Sequence, residues 1–301
     1  MAELSVIIPA RQEEFLGLTI DNVLQNAKGD TEIIAILDGY WPDPPLPDNP
    51  KVTVIHHTNP VGQRAAVNEG ARLSQSKYIM KLDAHCAVDE GFDVKLIDVC
   101  RRRNWTIIPT MYNLHGFDWK CVKCGKQYYQ ADRPDTCCGG EDFEKVIIWK
   151  PRRKRKTVSW RFDKDLHFQY WQKHKKRPEA SGDLIETMCH IGACWFMHTE
   201  QYWKQEGLDE AHGSWGQVGV ETSCKAWLSG GKLLTTKKTW FSHLFRTKRK
   251  ILSFPYQISG NDQERARVYS KELWLNDNWP KAKYPLSWLV DRFSPVPDWH
   301  E

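Results

Sequence analysis

Between residues 4 and 83, short apolar runs alternate with helical stretches, and this alternation constrains the fold more than any other feature of the chain. The sequence predicts strands over 4–9, 31–37, 52–55 and 78–82, with helices over 13–26 and 62–73. Strands separated by helices form a parallel sheet with right-handed crossovers. Ligands bind such sheets beyond the carboxyl ends of the strands. Asp38 and Asp83 each follow a strand end, so we expect a binding site there.

Length and composition exclude several classes of protein. The 301 residues, 41% hydrophobic and 27% charged, predict one large domain with an insertion or two domains, and argue against disorder. No apolar run approaches the ~18 residues of a membrane helix. The opening residues lead into a strand without the basic region of a signal peptide. We therefore expect no membrane span and a cytoplasmic protein, in the host cytoplasm if the chain is viral.

Asp83-Ala84-His85 directly follows the fourth predicted strand. A carboxylate and an imidazole two residues apart at a strand end suit a divalent transition metal such as Mn²⁺. His243, in Phe241-Ser-His-Leu-Phe-Arg246, is the candidate third ligand. An ordinary turn at Asp83 and a core histidine at 243 are the alternatives.

Several polar residues predict a nucleotide site near these ligands. Asp38 can accept hydrogen bonds from a base or ribose, although Asp38-Gly39 also fits an ordinary turn. Gln63, Arg64 and Asn68 begin the helix after Gly62. A helix N-terminus carrying an arginine suits a phosphate-bearing ligand, with a surface arginine as the alternative.

A glycine-rich loop is predicted over 213–222, followed by a helix from Ser223 to Leu228. Such a loop lets the backbone approach a ligand closely. Glu221 at the helix start is a candidate general base or a ligand of an acceptor hydroxyl. A helix N-terminal charge without catalytic role is the alternative.

Four of the nine cysteines cluster as Cys121-x-x-Cys124 and, after twelve intervening residues, Cys137-Cys138. Without a secretion signal, this spacing favours a zinc site over disulfides. Four ligands would make it structural. Because adjacent cysteines depart from the usual pattern, Cys137, Asp135 and His115 are all candidates for the fourth ligand.

The stretch from Lys145 to Arg177 contains thirteen Lys and Arg and two acids, which gives +11 in a chain of net charge +5. We predict a basic hairpin with a turn at Lys150–Arg153, and a polyanionic partner. Aromatic residues interleaved with the cations favour a nucleic acid as that partner, and a merely solvated loop is the alternative. The candidate nucleic-acid contacts are Arg152, Arg153, Lys154, Arg155, Lys156, Lys248, Arg249 and Lys250.

Five motifs in chain order carry a family resemblance: Ser5-Val-Ile-Ile-Pro9 with Glu13-Glu14, Lys81-Leu-Asp-Ala-His-Cys86, Gly192-Ala-Cys-Trp-Phe-Met197, Trp215-Gly216 with Glu221, and His243-Leu-Phe-Arg246. Over residues 4–250 the chain resembles the GT-A nucleotide-sugar glycosyltransferases of the family-2 type. It is particularly similar to the polypeptide N-acetylgalactosaminyltransferases. Glu221-Thr222 departs from the Glu-Asp, Asp-Asp or Glu-Asn usual at that position.

The resemblance implies an α/β GT-A fold, with a Rossmann-like, mixed and mostly parallel sheet flanked by helices, to which the cysteine cluster adds a small zinc-binding insertion. We therefore expect a nucleotide-sugar half (1–114), the zinc-binding basic insertion (115–160), an acceptor half (161–250) and, from the aromatic and proline-rich composition of the last fifty residues, a wrapping segment (251–301). Asp83, His85 and His243 would hold Mn²⁺, or Mg²⁺, on a UDP-sugar, with Glu221 and Asp83 catalytic. Implied donor contacts are Asp38, Gln63, Arg64, Asn68, Trp215 and Arg246.

Combined with the basic stretch, the resemblance extends in outline to phage-type enzymes that glycosylate 5-hydroxymethylpyrimidines in DNA. We therefore expect a glycosyltransferase with duplex DNA as the acceptor. One alternative is a saccharide, lipid or protein acceptor. A second is a catalytically degenerate, zinc-containing nucleic-acid-binding protein.

Overall fold

The computed structural model describes residues 2–130, 132–245, 256 and 260–299. Its strands are β1 Leu4–Ala10, β2 Thr31–Asp38, β3 Val52–His57, β4 Tyr78–Leu82, β5 Cys86–Val88, β6 Trp105–Cys121, β7 Gln127–Tyr129, β8 Phe143–Thr157, β9 Trp160–Phe162, β10 Phe168–Tyr170, β11 Leu184–Glu186, β12 Cys194–His198 and β13 Lys232–His243. Its α-helices are α1 Leu16–Asn26, α2 Gln63–Leu73, α3 Phe92–Val99, α4 Thr199–Lys204, α5 Val218–Leu228, α6 Gly260–Trp274 and α7 Leu286–Arg292.

One twisted sheet organises these elements, in the order β11-β13-β6-β12-β4-β1-β2-β3. β3, β2, β1 and β4 run parallel, because each is reached through a crossover. The apolar side chains of β1, β2 and β4 are almost fully buried, as continuous hydrophobic runs in a covered parallel sheet should be, whereas β3 at the sheet edge is partly exposed. The predicted α/β fold is thus confirmed, and β2 and β4 bring Asp38 and Asp83 to the same sheet edge.

The second half of the sheet is mixed. β12 lies antiparallel between β4 and β6, whereas β13 runs parallel to β6. The expected boundary between residues 114 and 115 falls inside β6, whose seventeen residues extend from the core to the cysteine cluster. β7 and β8 of the expected insertion both pair with β6 and so continue the main sheet.

The predicted turn at Lys150–Arg153 is wrong. Lys150, Pro151 and Arg152 pair in register with His115, Leu114 and Asn113 inside the continuous strand β8. Two irregularities in the pairing flank this segment, and Trp149 has a positive φ of 48°. Bulges of this kind absorb extra residues without ending a strand, which explains how a proline- and arginine-rich run remains in the sheet.

The glycine-rich loop is also shorter than predicted, because α5 begins at Val218 rather than Ser223. Glu221 consequently lies in the first turn of a helix whose residues are all buried. Within the described residues, no helix has both the length and the apolar character needed to cross a bilayer.

Candidate functional site

Three side chains meet at the carboxyl end of β4. Asp83 and His85 lie between β4 and β5, and His243 is the last residue of β13, which pairs with β5. His243 Nε2 lies 3.1 Å from His85 Nε2 and 3.2 Å from Asp83 Oδ2. The three ligand atoms lie within 4.8 Å of one another. Lone pairs converging in this way fit a divalent cation with open positions for a substrate's oxygens.

A buried lysine sits beneath this cluster. Lys81 is fully buried, forms an ion pair with Asp83 and donates to the carbonyl of Gly192 at 2.8 Å. Burial alone would raise the pKa of Asp83, but Lys81 and the two histidines hold it well below its usual range. Burial lowers the pKa of His243 to about 4. Both groups are therefore in their metal-binding protonation states at neutral pH.

The cluster of Asp83, His85 and His243 opens into a cavity of about 490 Å³. Asp38, Gln63 and Trp215 also line it, so the structure places these three predicted donor contacts beside the candidate metal ligands. Asp38 is fixed by the backbone N–H of Val61, which donates to Oδ1 at 2.6 Å. Through this contact, the end of β2 sets the position where α2 starts.

Arg64 and Asn68 are placed away from the cavity surface, contrary to the sequence prediction. The guanidinium of Arg64 is buried, with Nε donating to Glu221 at 2.9 Å and one terminal nitrogen donating to the carbonyl of Gly216 at 2.7 Å. The Asn68 amide donates to Leu208 O and accepts from the Tyr202 hydroxyl. Successive helix residues point about 100° apart, so Gln63 faces the cavity while Arg64 turns inward.

Glu221 lies in the same buried network and does not line the cavity. Its carboxylate accepts from Arg64, from Lys225 Nζ at 2.9 Å and from the Asp209 N–H. Burial would raise its pKa, but Lys225 and Arg64 lower it to about 2. A carboxylate held ionised by these donors is a poor proton acceptor, so the predicted catalytic role of Glu221 disagrees with the geometry.

Sequence reasoning did not predict that Phe168 and Tyr170 of β10 line the cavity. Gly219, from the predicted glycine-rich segment, also lines it, and a Cβ there would lie 2.0 Å from the His190 carbonyl oxygen. The aromatic pair is separated from the metal motif by more than 80 residues, so no local pattern links them.

The basic residues of β8 lie near the metal ligands. Asn113 of β6 pairs with Arg152 on one side and with His243 on the other, which places these two backbones about 10 Å apart. Arg152 lies over the Tyr129 ring at 4.7 Å and Arg153 over Trp240 at 5.4 Å. Exposed predicted nucleic-acid contacts are Arg152, Arg153, Lys154 and Lys156.

The remaining predicted residues divide into two groups. The structure brings Cys121, Cys124, Cys137 and Cys138 together in one cluster. Arg246, Lys248, Arg249 and Lys250 lie outside the described residues, as does the side chain of Arg155. The roles predicted for these five side chains stay predictions.

Residues 5–113 match the family model described as Glycosyl transferase family 2. The chain is 22% identical over 278 residues to human polypeptide N-acetylgalactosaminyltransferase 13, which covers 91% of this chain and 41% of the relative. It is 24% identical over 230 residues to polypeptide N-acetylgalactosaminyltransferase 5 of Caenorhabditis elegans, covering 75% of this chain and 32% of the relative.

A solved structure, described as GalNAc-T7 with UDP, GalNAc and Mn²⁺, has a TM-score of 0.70 and 17% identity. The match covers 97% of this chain and 56% of that one. The predicted GT-A fold is confirmed, and the chain is similar in sequence to these transferases. The chain spans between about a third and a half of the length of the curated relatives that it matches.

Proposed function

We propose that this protein is a metal-dependent glycosyltransferase that moves a sugar from a UDP-sugar to a hydroxyl group. The convergence of Asp83, His85 and His243 on the wall of the cavity that also contains Asp38 carries this proposal. Two imidazole ligands favour Mn²⁺ over Mg²⁺, which prefers oxygen ligands throughout. N-acetylgalactosamine is the first sugar to test, because the solved structural relative was described with UDP, GalNAc and Mn²⁺.

Different residues of the cavity would bind different parts of the UDP-sugar. When bound, Mn²⁺ supplies a positive charge opposite the departing diphosphate. Asp38, held by the Val61 N–H, faces the uridine, while Gln63 and Trp215 contact the rest of the donor. Phe168 and Tyr170 add aromatic surface to the cavity, which would help to exclude water from the bound donor. Glu221 acts as a positioning residue, because it holds Arg64 and the first turn of α5 together beneath the cavity.

Two acceptors have specific support. The relatives' names favour a polypeptide hydroxyl. The exposed cations of β8, two strands from His243, favour a polyanionic acceptor, and the candidate that we propose is duplex DNA carrying a 5-hydroxymethylpyrimidine. A target base in a duplex would have to be flipped out to reach the cavity. A cytoplasmic location accompanies the second acceptor and stays a prediction.

A transfer assay tests donor, metal and acceptor together. The purified protein with Mn²⁺ and UDP-N-acetylgalactosamine, UDP-N-acetylglucosamine or UDP-glucose is mixed with hydroxymethylated duplex DNA, unmodified duplex DNA, or a peptide rich in Ser and Thr. Mass spectrometry then identifies the glycosylated product. A sugar mass on the hydroxymethylated base supports DNA, whereas a sugar mass on the peptide supports a polypeptide acceptor.

Two variants control the assay. Asp83→Asn removes a metal ligand and should abolish transfer. Asp98→Asn alters a surface carboxylate paired with Lys238 and should leave transfer unchanged. If the protein binds DNA but neither transfers nor hydrolyses any UDP-sugar with Mn²⁺, the glycosyltransferase proposal is overturned and a degenerate nucleic-acid-binding protein is favoured.

A further inference from the structure

Four thiols meet between the end of β6 and the start of β8. Cys121 is the last residue of β6, Cys124 lies in the following turn, and Cys137 and Cys138 lie in the turn before β8. Cys121 Sγ lies 3.8 Å from Cys138 Sγ, and Cys124 Sγ lies 3.5 Å from Cys137 Sγ. All four sulfur atoms lie within 4.8 Å of one another.

These separations match metal coordination. Ligands at ~2.3 Å in a tetrahedron around zinc have sulfur atoms about 3.8 Å apart. A disulfide requires ~2.05 Å between its two sulfurs, and both measured separations are well above that distance. The near-equal distances therefore favour one shared ion.

The backbone aims the thiols inward through two tight turns. The Gly125 N–H donates to the Cys121 carbonyl at 2.9 Å, and Gly125 has a positive φ of 74°. In the second turn, Cys137 and Gly140 exchange two backbone hydrogen bonds of 2.8 Å. Cys138 has a positive φ of 47°, an uncommon conformation for a residue with a Cβ. An ion that binds its thiolate would offset the strain.

The geometry also favours one of the three candidates for the fourth zinc ligand, Cys137, over Asp135 and His115. His115 Nε2 is hydrogen-bonded to Asp118 at 2.6 Å, and neither His115 nor Asp135 belongs to the four-thiol group. With four protein ligands, a tetrahedral ion has no open position for a substrate. The site is therefore structural.

The surrounding segment needs such an ion. Of the described residues between 122 and 142, only Gln130 and Cys137 are buried, and Val122 is 67% exposed. So little apolar burial cannot offset the conformational entropy of ordering about twenty residues. In small segments of this kind, metal binding supplies the free energy of folding.

We propose that Cys121, Cys124, Cys137 and Cys138 bind one structural Zn²⁺ that joins the end of β6 to the start of β8. By fixing where β8 begins, the ion fixes the register that places Arg152 opposite Asn113. The Mn²⁺ cluster and the zinc site are separate centres with different ligand chemistry.

Metal analysis of the intact protein tests the proposal independently of any transferase activity. Protein purified without added zinc should contain about one zinc per chain by mass spectrometry of the elements, retained after dialysis against EDTA. A mercurial that blocks thiols should release it to a chromogenic chelator. Absence of zinc, another metal in its place, or a disulfide found after alkylation of the native protein would overturn the proposal.

Matched variants identify the ligands. Cys124→Ser removes an exposed thiol of the cluster, and it should lose the zinc and increase hydrogen exchange over residues 117–147. Cys100→Ser, at a buried cysteine outside the cluster, and Asp135→Asn should both retain the zinc. Equal zinc in Cys124→Ser and wild type would contradict the assignment. Should Cys124→Ser fail to fold, zinc release from the wild type still decides.

Discussion

Glu13 Oε2 lies 2.9 Å from Nδ1 of His85. A carboxylate only accepts hydrogen bonds, so the Nδ1 of His85 carries the proton and donates it to Glu13. The Nε2 lone pair of His85 is thereby directed toward His243 and Asp83. Carboxylates behind metal-binding histidines fix the ring orientation in this way.

Glu13→Gln should weaken Mn²⁺ binding by about 10- to 100-fold, because the amide no longer enforces the required tautomer of His85. Titration calorimetry with Mn²⁺ measures the affinity. Glu14→Gln, at the neighbouring carboxylate that pairs with Lys145, is the matched control and should bind Mn²⁺ like the wild type. Equal affinity in both variants would show that Glu13 does not position His85.

Glu221→Gln should lower the free energy of unfolding by roughly 3–5 kcal/mol, because Arg64 and Lys225 would be left buried without their counter-charge. Urea unfolding measures this decrease. Adding Arg64→Met should recover part of the stability. A Glu221→Gln protein as stable as the wild type but without transfer activity would instead support a catalytic carboxylate.

Stability should fall as the pH is lowered from 7 to 5. Burial lowers the pKa of His190 to about 3 and that of His174 to about 4, whereas the unfolded chain titrates near 6.5. Below pH ~6.5 the unfolded state binds more protons, so each histidine costs about 1.4 kcal/mol per pH unit. Glu221 makes stability depend on pH only below the ordinary pKa of a glutamate, which lies below the range from pH 7 to 5.

Urea unfolding at several pH values measures how steeply the free energy of unfolding falls with pH. His190→Gln should give a shallower dependence between pH 7 and 5, and His56→Gln, on the surface of β3, should not change it. A slope unaffected by His190→Gln would contradict this account of the acid sensitivity.

Gly219→Ala should weaken UDP binding and destabilise the protein by about 1–3 kcal/mol, because the new Cβ would collide with the His190 carbonyl at the cavity wall. Gly17→Ala is the control. Gly17 lies in α1, where an added Cβ meets only Leu46 at 3.9 Å, so this change should be neutral or stabilising. Fluorescence titration with UDP and urea unfolding give both readouts.

Arg152→Gln with Arg153→Gln should reduce the affinity for duplex DNA and decrease the dependence of log K on log salt by about one unit for each phosphate that is no longer neutralised. Gel shifts at several salt concentrations measure it. Arg103→Gln removes an exposed arginine that pairs with Glu200 and should leave DNA binding unchanged. An identical salt slope in all three proteins would favour a different acceptor.

The strand ends of the parallel sheet could be predicted because their signals are local. Asp38 and Asp83 follow apolar runs that are buried on both faces, and strands of that kind have few other places to lie. The role of His243 could be predicted only from its motif, because its proximity to Asp83 depends on the pairing of β13 with β5.

The sequence predictions were wrong where tertiary packing decides which way a side chain points or which strand a segment pairs with. Arg64 and Gln63 are adjacent in sequence, yet only the packing of α2 against α5 decides which one faces the cavity. Similarly, Pro151 is a residue typical of turns, but pairing with Leu114 keeps it in β8. These contacts join residues that are far apart in the chain, so the local sequence does not predict them.

The position of Asn113 between Arg152 and His243 has a consequence for the choice of acceptor. The strand that ends at His243 and the strand with the exposed cations pair with β6 from opposite sides. Arg153 of β8 packs over Trp240 of β13, but Asp83, His85 and His243 all lie outside β8. Under the proposed function, substitutions on β8 would alter the acceptor side and leave the three candidate metal ligands in place. Replacing residues 122–156 by the corresponding segment of a relative would then change the acceptor of an unchanged metal centre.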